Sequence, residues 1–338
     1  MAVTETQRPP ARSARTLTRL FSNTNQVTSL IIVFILLFLF FSVQTTAFLT
    51  GPNLINVMRQ VSYLGIAAVG ATMVLLIGGI DLSVGSTAAV TGIITAKLMV
   101  EAQVDPGLSL LAGIGTGMIA GMINGLIITR FKIPALITTL ATLTIFRGIS
   151  FTLVNGLPVF GLPRTPFLGF EEGVTAIGKG YIWGIPVPVI LMVIVFVIGY
   201  VILYRTYIGR YIYAIGGNED AARLSGIKVE RVQLFVYAFA GLLAGLTGLI
   251  IMGRVNSGQP SVASGFELEV ITAVVLGGVS ISGGRGSLLG VLLGVLISGV
   301  LSNGLIILNV SEYNQLVVRG MVLLLAVGLD RLRIRVSG

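Results

Sequence analysis

The sequence contains no cysteine and no histidine. Disulfides, thiol nucleophiles, zinc sites built on Cys and His, and imidazole proton relays are all excluded. Charge is nearly as scarce: 10% of residues are Asp, Glu, Lys or Arg, against about 25% in an average soluble domain. So little charge cannot cover a soluble surface, and it equally excludes disorder. What remains is apolar, with 54% hydrophobic residues among 338 and a mean hydropathy of +0.98. At about 20 residues per helix, ten membrane spans would use ~200 residues and leave short loops. The chain reads as an all-α polytopic membrane protein of about ten transmembrane helices.

The 22 Lys and Arg outnumber the 13 Asp and Glu, for a net charge of +9. They are dispersed or flank apolar runs, as the positive-inside bias produces, so nucleic-acid binding is not indicated. The first 26 residues carry Arg8, Arg12, Arg15 and Arg19 with Pro9 and Pro10, and read as a cytoplasmic N-terminal tail. A permease domain is expected over 27–330 and a basic cytoplasmic tail over 331–338. Apolar stretches cover 30–41, 57–79, 82–100, 108–129, 135–154, 187–204, 234–253, 288–308 and 315–329. A further stretch, 270–279, gives only about 15 Å of helix against a core of about 30 Å, and crosses only if its flanks extend it through protein-lined space. Counting it as a span puts Arg130, Lys132, Arg205 to Arg231, Arg285 and the Arg331, Arg333, Arg335 tail on one side. That favours ten spans with both termini cytoplasmic.

Asn124-Gly125-Leu126-Ile127-Ile128 recurs as Asn303-Gly304-Leu305-Ile306-Ile307, and Arg147-Gly148 as Arg319-Gly320. In a ten-span topology each matched pair crosses in opposite senses. Spans 2–5 and 7–10 are then expected to form an inverted repeat with a pathway between the halves. Gly113, Gly117, Gly121 and Gly125 share a helix face, and Gly241, Gly245 and Gly248 nearly repeat it. Close helix packing is the stronger reading of these faces than solute contact.

The loop 205–232 is the longest polar stretch after the N-terminal tail. Within it, Asn218, Glu219, Asp220, Ala221, Ala222, Arg223, Leu224, Ser225 and Gly226 spell a short helix with both ends marked. Asn218 can cap free N–H groups, Glu219 and Asp220 sit at the positive end of the dipole, and Gly226 suits the left-handed residue past the end. Such a helix is either a docking knob for a partner or a surface turn.

Asp220-Ala221-Ala222-x-x-x-Gly226 resembles the Glu-Ala-Ala-x-x-x-Gly coupling loop of ABC importer permeases, with Asp in place of Glu. Gly78-Gly79-Ile80-Asp81-Leu82-Ser83-Val84-Gly85-Ser86, the segment 208–218, Arg223-Leu224-Ser225-Gly226-Ile227 and Ala273-Val274-Val275-Leu276-Gly277-Gly278 are similar to ribose-type sugar permeases. The resemblance spans about 27–330. It implies a paired, homodimeric or paralogous permease of the bacterial cytoplasmic membrane, a periplasmic or lipid-anchored sugar-binding protein, and a separate ATPase whose groove receives the 218–226 helix. It also implies that ATP and Mg are bound by that ATPase, and no cofactor by this chain. No Gly-x-x-x-x-Gly-Lys-Ser/Thr loop occurs here.

Ionisable and polar groups at membrane depth are candidates for the pathway or gate: Asp81, Ser83, Asn124, Arg147, Asn303 and Arg319. Asp81 reads either as a gating contact or, preferably after Gly78-Gly79, as an N-cap of the third span assisted by Ser83. Arg147 and Arg319 either line the pathway or pair with Glu267, Glu269 or Asp81. Glu267 and Glu269 are expected at an outer rim. Tyr63, Phe146, Phe151 and Trp183 are expected at membrane interfaces rather than on a sugar. An ion-gradient-driven secondary transporter is the alternative, poorly supplied with titratable groups, and an intramembrane enzyme lacks a carboxylate pair of convincing spacing.

Overall fold

The computed structural model describes residues 23–337, with side chains placed over 27–328. The basic tails expected at 1–26 and 331–338 lie outside the described side chains. Five long helices come first: α1 (Asn23–Gln44), α2 (Gly51–Leu76), α3 (Val84–Val100), α4 (Pro106–Phe131) and α5 (Ala135–Leu153). A connecting segment then carries a short α6 (Ala176–Lys179) and a hairpin of β1 (Tyr181–Ile182) with β2 (Ile185–Pro186). There follow α7 (Val187–Tyr200), a π-helical turn (Val201–Arg205), α8 (Tyr207–Gly217), α9 (Glu219–Leu224), α10 (Val229–Val255), α11 (Phe266–Leu276), α12 (Leu288–Ile307) and α13 (Glu312–Ser337).

Local chemistry sets the boundaries. Proline opens α2, α4 and α7, where its missing N–H costs nothing, and Asp105 caps α4 by accepting from the Leu108 N–H at 3.1 Å. Lys132 and Asn256, both at positive φ, terminate α4 and α10. Among the described residues seven helices are long and apolar enough to cross a membrane, α1, α2, α4, α5, α7 with its π-turn, α10 and α12. The 17-residue α3 is apolar and buried but shorter.

α2 and α10 form the buried centre, touching where Gly70 lies against Ala240. Around them the packing is exchanged between halves of the chain: α4 lies along α10, and α12 along α2. The expected close packing of the glycine faces is found here. A methyl group at Gly117 would lie 2.5 Å from the Gly241 carbonyl oxygen, and at Gly121 it would collide with that of Tyr237. The two backbones therefore touch with no side chain between them.

The stretch around 270–279 solves its length problem in an unexpected way. Its helix is α11, only eleven residues, but the non-helical stretch before it already descends into the bundle. Gly258 packs beside Ile93 and Ala96, while Ala263 and Glu267 lie against Gly85. The stretch thus runs antiparallel to α3 between Ala96 and Gly85, about 16 Å at 1.5 Å per residue. Its start pairs with Val159 through two backbone hydrogen bonds of 2.8 and 2.9 Å, at the end of the bundle that carries the hairpin. After α11, Gly284 donates its N–H to Leu76 O at 2.9 Å and Gly283 and Gly284 pack on Gly216, at the end that carries α8 and α9. Buried irregular backbone of this kind is tolerated at membrane depth only when protein lines it, and here α3, α5 and α12 do so.

Candidate functional site

The segment 218–226 folds as its residues dictate. The Asn218 side chain accepts from the Ala221 N–H at 2.9 Å, capping α9. Past its end Gly226 adopts φ +83°, its N–H donates to Arg223 O at 3.0 Å, and the Ile227 N–H donates to Ala222 O at 3.1 Å. That pair of bonds is the Schellman closure, which needs a left-handed residue where Gly226 stands. Arg223 clamps the helix to α10: one guanidinium nitrogen bonds Glu230, the other Glu219 at 3.1 Å. The hydrogen bonds to Glu230 and Glu219 hold the Arg223 guanidinium above its ordinary pKa. Ala222 is buried against the protein, whereas Leu224 is 90% exposed. Leu224 thus projects from a helix fastened at both ends and held to α10 by Arg223.

A cavity of about 550 Å³ opens beside α9. Glu219, Asp220, Arg223 and Lys132 surround it, and Gly78, Gly79 and Tyr237 line its inner side. Just beyond lies the turn before α3. Asp81 is buried and accepts from both the N–H and the Oγ of Ser83, at 2.8 and 2.7 Å; Asn124 Nδ2 donates to Ser83 Oγ at 2.9 Å. Three of the six pathway candidates are thus brought into one chain. The expected N-cap role of Asp81 is corrected: the capping position of α3 is Ser83, with no side-chain cap bond, and the Asp81 carboxylate spends its oxygen on the Ser83 N–H and hydroxyl, one residue short of the helix.

The other three candidates lie apart from that chain. Arg147 Nη1 donates to Pro260 O and Val262 O, both at 2.7 Å, and so satisfies carbonyls of the turns before α11. Arg319 lies 3.5 Å from Glu269, whose other oxygen accepts from Ser302 at 3.2 Å. Asn303 exchanges hydrogen bonds with Asn53. The rim location expected for Glu267 and Glu269 is corrected: both lie within the bundle, beside Gly85 and Ser302, because the approach to α11 descends through a run of turns over 260–265 before the helix begins. Trp183 does sit at a surface, 98% exposed at the tip of the hairpin.

Sequence reasoning missed α8, although Ile208, Ile212 and Ile215 at helical spacing, with Ile212 and Ile215 buried, were its signal. It also missed Asn53, which carries no local mark of its partner.

A family model described as branched-chain amino acid transport system / permease component matches residues 53–327, from the first turn of α2 into α13. The chain belongs to this permease family. It is a multi-pass membrane protein and a transport component rather than an enzyme. It is 48% identical over 290 residues to the ribose import permease protein of Bacillus subtilis (strain 168), covering 86% of this chain and 88% of the relative. Identity to the ribose import permease protein of Escherichia coli K12 is 42% over 300 residues, covering 89% and 92%. An L-arabinose transport system permease protein of Escherichia coli K12 is 38% identical over 303 residues, covering 89% of each chain. No solved structure matches.

Proposed function

We propose that this permease is the membrane-spanning subunit of an ABC importer for a simple sugar, ribose or another pentose, in the bacterial inner membrane. The observation that carries the substrate class is the nearly full-length likeness to ribose and arabinose permeases. In this reading α9 is the handle gripped by a separate ATPase that binds ATP and Mg, and a sugar-binding protein delivers substrate at the hairpin end. A second copy, or a paralogous permease, completes the channel. The exposed Leu224 on a clamped and doubly capped helix supports the handle.

Ten crossings with both termini cytoplasmic accord with α11 and its non-helical approach leading from the hairpin end to the α9 end. The exchange of α4 and α12 onto α10 and α2 is what an inverted repeat over spans 2–5 and 7–10 would give. The Asp81–Ser83–Asn124 chain beside the α9 cavity is the best placed of the gate candidates. Arg147, Arg319 and Asn303, each occupied by an internal partner, serve as struts.

The test is reconstitution of the permease with its ATPase and binding protein in vesicles loaded with ATP. Uptake of labelled ribose or arabinose that requires ATP supports the reading. Uptake by the permease alone under a proton or sodium gradient would favour a secondary transporter. The family's description names branched-chain amino acids, so labelled leucine is the second substrate to try, and ATP-dependent leucine uptake without pentose uptake would replace the sugar assignment.

A further inference from the structure

α9 separates two cavities of opposite character. The one described above mixes acids and bases. The other, about 370 Å³, lies between α8 and the first turns of α10, with Tyr207, Ile208, Tyr211, Val232 and Phe235 forming its apolar wall. Lys228 and Arg231 stand at its mouth, both exposed. Neither has an ion pair among the described residues, and the neighbouring acid, Glu230, is turned to the other cavity and held by Arg223.

We propose that this cavity binds one anionic phospholipid, its phosphodiester between Lys228 and Arg231 and the start of an acyl chain along Ile208, Val232 and Phe235. The geometry matches both parts of such a ligand. Val232 and Phe235 lie near the start of the 27-residue apolar α10, and Tyr207 and Tyr211, in ring contact at 5.6 Å, are of the residue type that favours membrane interfaces. Basic pockets between helices at this level take anionic headgroups. The inference goes beyond the transport reading and holds whichever leaflet the α9 end faces.

The test uses the full purified chain in detergent, titrated with phosphatidylglycerol and read by native mass spectrometry. One lipid is expected to bind per chain, and phosphatidylcholine far less. Lys228→Gln with Arg231→Gln should lower phosphatidylglycerol affinity about 30-fold, the equivalent of about 1 kcal/mol for each lost charge. Both residues are exposed, so the fold is retained. Arg164→Gln with Lys179→Gln, an equal loss of charge at the other end, should leave binding intact. Equal binding of phosphatidylcholine, equal losses in the two double variants, or unchanged binding in the first would each overturn the proposal. Displacement by millimolar inorganic phosphate would reassign the site to a soluble anion. Undiminished lipid binding with loss of ATPase copurification would reassign the two cations to a protein contact.

Discussion

Asn53, in the first turn of α2, and Asn303, towards the far end of α12, donate to each other's side-chain oxygen at 3.1 and 2.9 Å. Asn53 Nδ2 also donates to Phe48 O at 2.8 Å, in the turn that joins α1 to α2. One amide pair thus fastens two helices and the turn before the first of them. Asn303→Ala strands a half-buried amide and is expected to cost about 1–3 kcal/mol. Adding Asn53→Ala should cost less than the sum of the two single changes. Thermal unfolding of the four proteins in detergent measures the coupling, and strict additivity would show the pair to be idle.

Asp81 offers a separation of charge from hydrogen bonding. Asn at this position keeps an oxygen for the Ser83 N–H and Oγ, whereas Ala keeps none. Asp81→Asn is therefore expected to retain stability and uptake, and Asp81→Ala to lose about 1 kcal/mol or more. If Asp81→Asn abolishes uptake while the protein unfolds at the same temperature, the carboxylate charge acts in the gate.

Close helix contact makes two glycines on one helix unequal. An added methyl at Gly121 meets the Tyr237 carbonyl and Gly241 Cα, but at Gly115 it meets nothing. Gly121→Ala should destabilise by about 1–3 kcal/mol through overpacking, and Gly115→Ala should be neutral or slightly stabilising. Yield of folded protein and unfolding temperature report both.

On α9 the residue facing outward is Leu224, not Ala222. Leu224→Ser is expected to leave unfolding unchanged and weaken ATPase association by about 2 kcal/mol, roughly thirty-fold. Ala222→Glu forces a charge into a buried seat, so it should dislodge α9 from its own protein and abolish uptake with a local loss of stability. Wild-type association in Leu224→Ser would remove the docking role.

Arg147 holds two carbonyls of the turns before α11. Arg147→Met leaves both unmatched in a water-poor site and should cost about 2–4 kcal/mol. Hydrogen exchange over residues 256–265 should rise selectively, and exchange confined to its wild-type level would show the contact to be dispensable.

What was legible in the sequence was local. The cap at Asn218 and the turn at Gly226 act over three or four residues, so α9 could be read with both ends correct. Apolar runs outlined the long helices in the same way. The non-helical approach to α11 could not be read, because no periodicity marks it and the arginine that satisfies it lies 113 positions earlier. The Asn53–Asn303 pair spans 250 positions, and nothing around either residue announces the other. Glu267 and Glu269 were misplaced for the same reason: their depth is set by the path of the preceding backbone, not by their neighbours in sequence.

The seam between α4 and α10 has a mechanical consequence. Each half of this chain packs one of its helices on the other half, and along α4 and α10 that contact is backbone on backbone. Rocking one half against the other would therefore have to shear a seam that has no side chains to give way.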